Sequence, residues 1–505
     1  MVAPARNVAD LVRESARRGP GHPAVVDVTT SEVLDWGRLD AAVDAEARRL
    51  VAEGLRPGDR VAVRLPSGPA FCAAVFGALR AGGVLVLLGA GQPRRELDRL
   101  LADSGARLLV GDLADLAEDA DAGEPLNPEV TVLPAPALDV AAGSVDPVDA
   151  VRGGEDVAVI GYTSGTSGVP RGAMLSHRAL LANVDQCAEL RPAPVTAGDR
   201  VLLALPLFHV YGLGPGLLQV AGAGATAVLV ERFDPDAALT AIREHRVTAL
   251  VGVPPMYRAL LAQPVERLRR DLATVRLFTS GAAPLPPEVL TGMRAATGLV
   301  VHEGYGLTET GPVLTSSLVT GTAKPGSVGS PLPGVELRLV DSDGSPLDLE
   351  EDEPGTGLVS VRGANLFSGY WPDGAHGPAE DGWFRTGDVG YLDSDGDLHL
   401  VDRAGDLIIV NGFNVYPHEI EAVLRELPGV VEAAAVGVPD ERTGEAVKVV
   451  LALADGVELD EARVREHCAD RLAKFKVPTS VEFTSALPHS PTGKVARALL
   501  RPPLI

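Results

Sequence analysis

The chain has 505 residues, too many for a single hydrophobic core, so at least two domains are expected. Its 68 acidic side chains against 45 basic ones leave a formal charge of −23, which argues against nucleic acid as a partner. Hydrophobic residues make up 46% of the chain but in runs too short to cross a bilayer. The opening Met1-Val-Ala-Pro-Ala-Arg6 lacks the apolar stretch of a signal peptide, and Cys72, Cys187 and Cys468 are scattered without metal-type spacing. A cytoplasmic protein with reduced thiols and no integral membrane segment is the expectation.

Residues 1–150 alternate helix-like and strand-like stretches, at 8–18, 24–27, 39–53, 60–64, 70–81 and 84–88. That alternation predicts a mostly parallel sheet covered by helices. Between 113 and 148 Ala, Asp, Pro and Gly dominate, which predicts a surface excursion. An apolar run, Val157 to Ile160, then feeds Tyr162-Thr-Ser-Gly-Thr-Ser-Gly-Val-Pro-Arg-Gly172. Four aliphatic hydroxyls and three glycines in one loop can wrap side-chain and backbone donors around a polyphosphate. No Gly-Lys-Ser/Thr follows, so this is not a Walker A loop, and Pro170 disfavours helix at Val169. A flexible linker is the competing reading. Its place between an apolar strand and a helix-like segment at 176–190 argues against that.

Strand-like runs continue at 201–205, 225–230, 249–253 and 277–279, and Tyr305-Gly-Leu-Thr-Glu-Thr310 follows Val300-Val301. In that loop an aromatic ring can stack on adenine, Thr308 can bond a phosphate, and Glu309 is a hard oxygen ligand for Mg2+. From 327 the style changes to short strands at 335–340, 357–361, 390–392 and 398–401. They are separated by the turns Asp341-Ser-Asp-Gly344 and Asp393-Ser-Asp-Gly396, a pattern that predicts an antiparallel, barrel-like subdomain. Asp388 in Trp383-Phe-Arg-Thr-Gly-Asp388 could accept both hydroxyls of a ribose, with Arg403 beside it; a turn carboxylate and a surface ion pair are the ordinary alternatives. A final block begins near Asp402-Arg-Ala-Gly405. Pro417 opens a helix with Ile420, Val423, Leu424 and Leu427 on one face, before strands at 431–438 and 446–454, a helix at 460–472 and a strand at 481–483. The lysines are Lys324, Lys448, Lys474, Lys476 and Lys494, so a surviving lysine is a candidate for work arginine cannot do. Lys494 stands on the turn Pro491-Thr-Gly-Lys494, where a solvated lysine is the bland reading.

Taken singly, most of these motifs have ordinary explanations. Together and in this order they resemble the acyl-adenylate-forming (AMP-binding) superfamily of acyl-CoA synthetases, luciferases and peptide-synthetase adenylation domains. The likeness runs over essentially the whole chain. It implies an α/β fold, with a large N-terminal domain of stacked α/β sheets plus a β-barrel-like subdomain over residues 1–402. A small, mobile α+β C-terminal domain would cover 403–505. It implies that a carboxylate attacks the α-phosphate of Mg·ATP to give acyl-AMP and pyrophosphate, after which a thiol displaces AMP.

By the same resemblance Thr163, Ser164, Gly165, Thr166, Ser167 and Gly168 would hold the β- and γ-phosphates, with Arg171 nearby. Thr308 and Glu309 would meet the α-phosphate and Mg2+, Glu309 being the metal ligand. Gly281, Ala282, Ala283 and Tyr305 would line the adenine site, and Asp388 with Arg403 would hold the ribose. Lys494 would bridge the substrate carboxylate and the α-phosphate, where a compact ammonium fits better than a planar fork. Two departures stand out. The family usually carries lysine where this chain has Arg171, and its hinge residue, commonly Asp or Lys, is here Gly405.

Asn411-Gly-Phe-Asn-Val-Tyr-Pro417 and Lys474-Phe-Lys-Val-Pro478 look like segments of acyl-CoA synthetases, and only a short tail follows Lys494. Coenzyme A is therefore the favoured acceptor. A separate carrier protein, an amine or oxygen remains as the alternative. For the acid, Pro206-Leu-Phe-His-Val-Tyr-Gly-Leu-Gly214 is expected to form one pocket wall. His209 would gate or orient the carboxylate, unless it is simply a core histidine, and Gly281 and Gly304 would form the floor. Glu303-Gly304 before Tyr305 offers no arginine for a second carboxylate, which disfavours dicarboxylates such as malonate. The small-molecule substrate is thus expected to be a monocarboxylic acid, a medium- or long-chain fatty acid or an aryl acid.

Overall fold

The structure is a computed structural model that describes residues 6–111, 129–149, 151–163, 170–347, 355–403, 406–410, 413–440, 442–454, 456–489 and 494–501. Ser164, Gly165, Thr166, Ser167 and Gly168 lie outside the described residues, as do Gly405, Asn411-Gly412 and Pro491-Thr-Gly493. The described residues divide into two compact units. One takes in the chain up to Thr163, residues 170–336 and Arg362–Phe384; the other takes in Leu337–Val361 and the chain from Arg385 onward.

The first unit contains two sheets. One runs, edge to edge, Thr131–Leu133, Leu108–Gly111, Arg60–Arg64, Val84–Leu87, Val157–Thr163 and Arg171–Ser176. All its pairings are parallel except the last, a hairpin. The other runs Val33–Asp35, Pro23–Asp27, Thr226–Leu229, Arg200–Leu203, Ala249–Gly252, Leu277–Ser280, Val301–Gly306, Val313–Ser316 and Ser327–Pro331. It is parallel from Pro23–Asp27 through Val301–Gly306, and Val313–Ser316 and Ser327–Pro331 add to it antiparallel. The parallel strands Val84–Leu87 and Ala249–Gly252 are buried along their whole length. Strands covered on both faces read as unbroken apolar runs.

Helix starts follow local chemistry. Asp35, Ser176 and Asp234 each cap a helix by accepting from a backbone N–H three residues on, and Pro235 and Pro254 stand at helix starts where a missing N–H costs nothing. The stretch at 113–148, expected to be a surface excursion, contributes the strand Thr131–Leu133, paired parallel to Leu108–Gly111; residues 134–149 are mostly exposed.

In the second unit Glu336–Val340, Gly357–Arg362, Phe384–Leu392 and Leu398–Arg403 are neighbours in one sheet. The C-terminal part is a sheet of Phe413–Val415, Ile408–Val410, Gly444–Leu453 and Val430–Asp440, with Ser480–Thr484 parallel to Gly444–Leu453. The helices Pro417–Leu424 and Glu461–Ala469 pack on it through Ile420, Leu424, Val464 and Cys468. These are the two helices and three strands expected there, with the hairpin Ile408–Val410/Phe413–Val415 in addition.

Candidate active site

The predicted phosphate loop is the tip of a hairpin. Register runs from Val157↔Ser176 to Thr163↔Arg171, so Thr163 and Arg171 stand opposite one another at the base of the tip. There Thr163 Oγ1 donates to the Arg171 carbonyl at 3.4 Å. A strand of six residues, Arg171–Ser176, separates the loop from the helix His177–Ala188, in line with the expectation that no helix opens directly on the loop. The helix start itself matches, with Ser176 Oγ accepting from Ala179 N at 3.1 Å.

The Tyr305 segment converges on this hairpin. Tyr305, largely buried, lies in the strand Val301–Gly306, paired with Thr315. The chain then makes a short 3-10 turn, Thr308–Thr310. Thr308 packs against the hairpin so closely that a Cβ at Gly161 would sit 2.9 Å from its Cγ2. Buried amides fix the turn from behind. Asn365 Nδ2 donates to Thr310 O at 2.7 Å, and Asn183 both donates to and accepts from the Val313 backbone. Gly311 adopts a φ of 76°, and a Cβ there would meet Asn365 O at 2.5 Å.

Glu309 is 9% exposed and its Oε1 accepts from Tyr370 Oη at 2.6 Å, while its carbonyl accepts from Phe367 N. The Arg171 guanidinium lies over the Tyr370 ring, 3.7 Å from its centroid. Thr163, Arg171, Thr308 and Glu309 are thus gathered in one region of the first unit. Tyr370, Asn183 and Asn365 were missed by sequence reasoning. The one available signal was Phe367, Tyr370 and Trp371 within five residues in a chain that is only 4% aromatic.

A small crevice, open to solvent, adjoins this region. Its lining includes Val159, Gly161, Tyr162, Phe208, His209, Leu213 and Thr308, so the predicted wall at 206–214 faces Thr308. His209 Nδ1 accepts from Tyr211 N at 3.2 Å, which puts the proton of a neutral ring on Nε2. Downstream the chain takes a widened π-helical turn, Gly212–Leu218, around Pro215. Tyr162 Oη donates to Asp103 at 2.5 Å; burial and then that carboxylate push its phenol pKa up.

Gly281 sits under the Tyr211 ring, where a Cβ would come within 2.8 Å of the ring carbons. Ala282 takes a left-handed φ of 66°, with Ala283 next in the turn. Gly304 backs onto the neighbouring strand, its virtual Cβ 3.1 Å from Thr315 O. Beside them Glu303 is 6% exposed and accepts from Leu285 N at 2.9 Å. Burial pushes its carboxyl up to about 8, against the lowering effect of that hydrogen bond.

The second unit carries the remaining candidates. Asp388, 6% exposed, lies in Phe384–Leu392 directly across the antiparallel ladder from Arg403, so the two residues expected at a ribose are register partners. Asp388 N donates to Thr386 Oγ1 at 3.1 Å. Lys494 is exposed. Just beyond it, Arg497 makes a bidentate contact with buried Glu421 at 2.8 and 2.9 Å, and Arg501 reaches Asp406 at 3.0 Å. Glu421 also accepts from Ala435 N at 2.9 Å, so the segment after Lys494 is tied to the helix Pro417–Leu424 and the adjoining sheet.

Among the described residues no cluster of three or more His, Cys, Asp or Glu converges as a metal site. Mg2+ at a nucleotide is commonly held by one or two carboxylates, phosphates and water, so an oriented Glu309 carboxylate beside hydroxyl donors fits it.

Residues 12–371 match the family described as AMP-binding enzyme, and residues 419–494 match the AMP-binding enzyme C-terminal domain. A feruloyl-CoA synthase of Amycolatopsis sp is 39% identical over 492 residues, 96% of each chain. A long-chain-fatty-acid–CoA ligase of Bacillus subtilis (strain 168) is 31% identical, covering 98% of this chain and 94% of its own. Among solved structures, ATP-bound MatB from Rhodopseudomonas palustris superposes with a TM-score of 0.87 at 35% identity, over 98% of both chains. Among the described residues no helix is long and apolar enough to cross a membrane.

Proposed function

The chain belongs to the AMP-binding enzyme family and is an AMP-forming acid–CoA ligase; we propose here which residues carry its two steps and which acid it takes. In the first step an oxygen of the substrate carboxylate attacks the α-phosphorus of ATP and pyrophosphate leaves. In the second the CoA sulfur attacks the acyl carbon and AMP leaves. Phosphoryl and adenylyl transfer need fixed donors and cations where charge builds up rather than a protein nucleophile.

Thr163, the loop 164–168 and Arg171 hold the β- and γ-phosphates, and Thr308 donates to the α-phosphate. Glu309 with Thr308 would hold Mg2+, which neutralises phosphate charge when bound. Tyr305 with the 281–283 turn takes the adenine, Asp388 and Arg403 take the ribose hydroxyls, and Lys494 places one ammonium between the acid and the α-phosphate. The observation that carries this assignment is the packing of the Thr308–Glu309 turn against the base of the loop bearing Thr163 and Arg171.

The acid is a monocarboxylate, and an aryl acid is favoured. The 39% identity to a feruloyl-CoA synthase supports this. A cytoplasmic setting belongs to the same proposal. Pyrophosphate release and acyl-CoA formation from a panel of aryl and fatty acids test it. Lys494→Ala should abolish acyl-AMP formation yet convert supplied acyl-AMP to the thioester at near wild-type rate. A variant that still adenylates normally would overturn the role given to Lys494. Acyl-AMP that accumulates without yielding a CoA thioester, but transfers to a carrier protein or amine, would overturn CoA as acceptor.

A further inference from the structure

Tyr370 lies outside every residue set assigned above, yet it touches two of the assigned groups. Its hydroxyl donates to Glu309 Oε1 at 2.6 Å. Its ring carries the Arg171 guanidinium 3.7 Å from the centroid. The two contacts use different parts of the residue, the O–H for the carboxylate and the π face for the cation. The main chain around it is fixed to the same two places. Trp371 N donates to Gly172 O at 2.8 Å, Met174 N donates to Gly369 O at 3.0 Å, and Phe367 N donates to Glu309 O at 3.0 Å. Phe367 meets the Tyr370 ring edge-on at 5.1 Å, and Trp371 Nε1 donates to Asp103 O at 2.9 Å. The residue is therefore held from both sides and has little freedom to turn away.

We propose that Tyr370 is a positioning residue for adenylation, setting the Glu309 carboxylate for the metal and the Arg171 cation for the phosphates before Mg·ATP arrives. This rests on the reading of Glu309 and Arg171 given above. It also accounts for arginine at 171. A planar guanidinium lies flat on a phenol ring, whereas an ammonium is a strongly hydrated point charge. Partners that orient a ligating carboxylate commonly matter to metal affinity nearly as much as the ligand itself.

The test separates the two contacts. Tyr370→Phe keeps the ring and removes the hydroxyl; Tyr370→Leu removes both. Calorimetric binding of ATP without metal, and the Mg2+ concentration needed for half-maximal ATP binding in the absence of acid, are read for each, alongside Glu309→Gln and Arg171→Ala. Tyr370→Phe is expected to raise the half-saturating Mg2+ concentration roughly tenfold while leaving metal-free ATP affinity unchanged. Tyr370→Leu is expected to weaken metal-free ATP binding as well, roughly threefold to tenfold. A purely structural role would instead lower the melting temperature and make Tyr370→Phe itself move both affinities together. If Tyr370→Phe leaves the Mg2+ requirement unchanged while Glu309→Gln raises it, the proposal fails and the site reading stands. If Glu309→Gln and Arg171→Ala leave both affinities unchanged, the site reading itself fails. Should the leucine variant not fold, the phenylalanine variant decides alone.

Discussion

Glu303 offers a quantitative test of how burial sets the charge beside Tyr211. Its carboxyl is buried beside the Tyr211–Gly281 contact, and burial raises it from the ordinary 4.5 to about 8. Below about pH 4.5 the group is protonated in both folded and unfolded chains and makes no difference. Between 4.5 and 8 the unfolded chain ionises while the native one stays protonated. Stability therefore falls as pH rises, by about 1.4 kcal/mol per pH unit, until the loss is complete near pH 8 at about 5 kcal/mol. Glu303→Gln keeps an acceptor for Leu285 N but cannot ionise. From pH 6 to pH 8 the wild type should lose about 3 kcal/mol more than the variant in urea unfolding monitored by fluorescence. Infrared spectra should show a protonated-carboxyl band at pH 7 that is missing from the variant. Parallel pH dependence in the two proteins, or no such band in the wild type, would refute the reasoning. The corollary is that at pH 7 Glu303 adds no charge beside Tyr211.

His177 gives a pH dependence of the opposite sign. It is fully buried with Nδ1 accepting from Val8 N at 3.1 Å, and burial, only partly offset by Asp156, lowers its pKa from 6.5 to about 4. Its stabilising contribution is complete above pH 6.5 and is lost as pH falls to 4, by up to about 3 kcal/mol; His177→Gln should flatten stability across that range, and an unchanged slope would count against the assignment. In the second unit, Glu421→Ala leaves Arg497 without its bidentate partner and should cost about 3 kcal/mol. Hydrogen exchange in Pro417–Leu424 should then rise and acyl-AMP formation slow; wild-type exchange with slowed adenylation would mean the anchor acts some other way.

Local patterns made much of this molecule legible. The strand Arg60–Arg64 and the helix opened by Pro417 follow from runs of apolar residues and proline chemistry that need no distant partner. The strand Arg171–Ser176 did not show, because Gly-Ala-Met-Leu carries no strand preference and pairing with Val157–Thr163 decides its conformation. Thr131–Leu133 was hidden in the same way within a Pro- and Ala-rich stretch. For the site, Thr308 and Glu309 stood out as one contiguous motif. Tyr370 lies 61 residues from Glu309, and nothing near it in the chain names its partner. Contacts across that separation exist only once two sheets have been assembled.

The base of the phosphate hairpin has a further consequence for how this enzyme can change. Thr163 and Arg171 are fixed across from each other by the ladder below them, so the chain between them starts and ends on a rigid clasp. Closing a longer segment over such a clasp costs only about 0.6 kcal/mol for each doubling of its length. A longer segment there is therefore cheap for the fold.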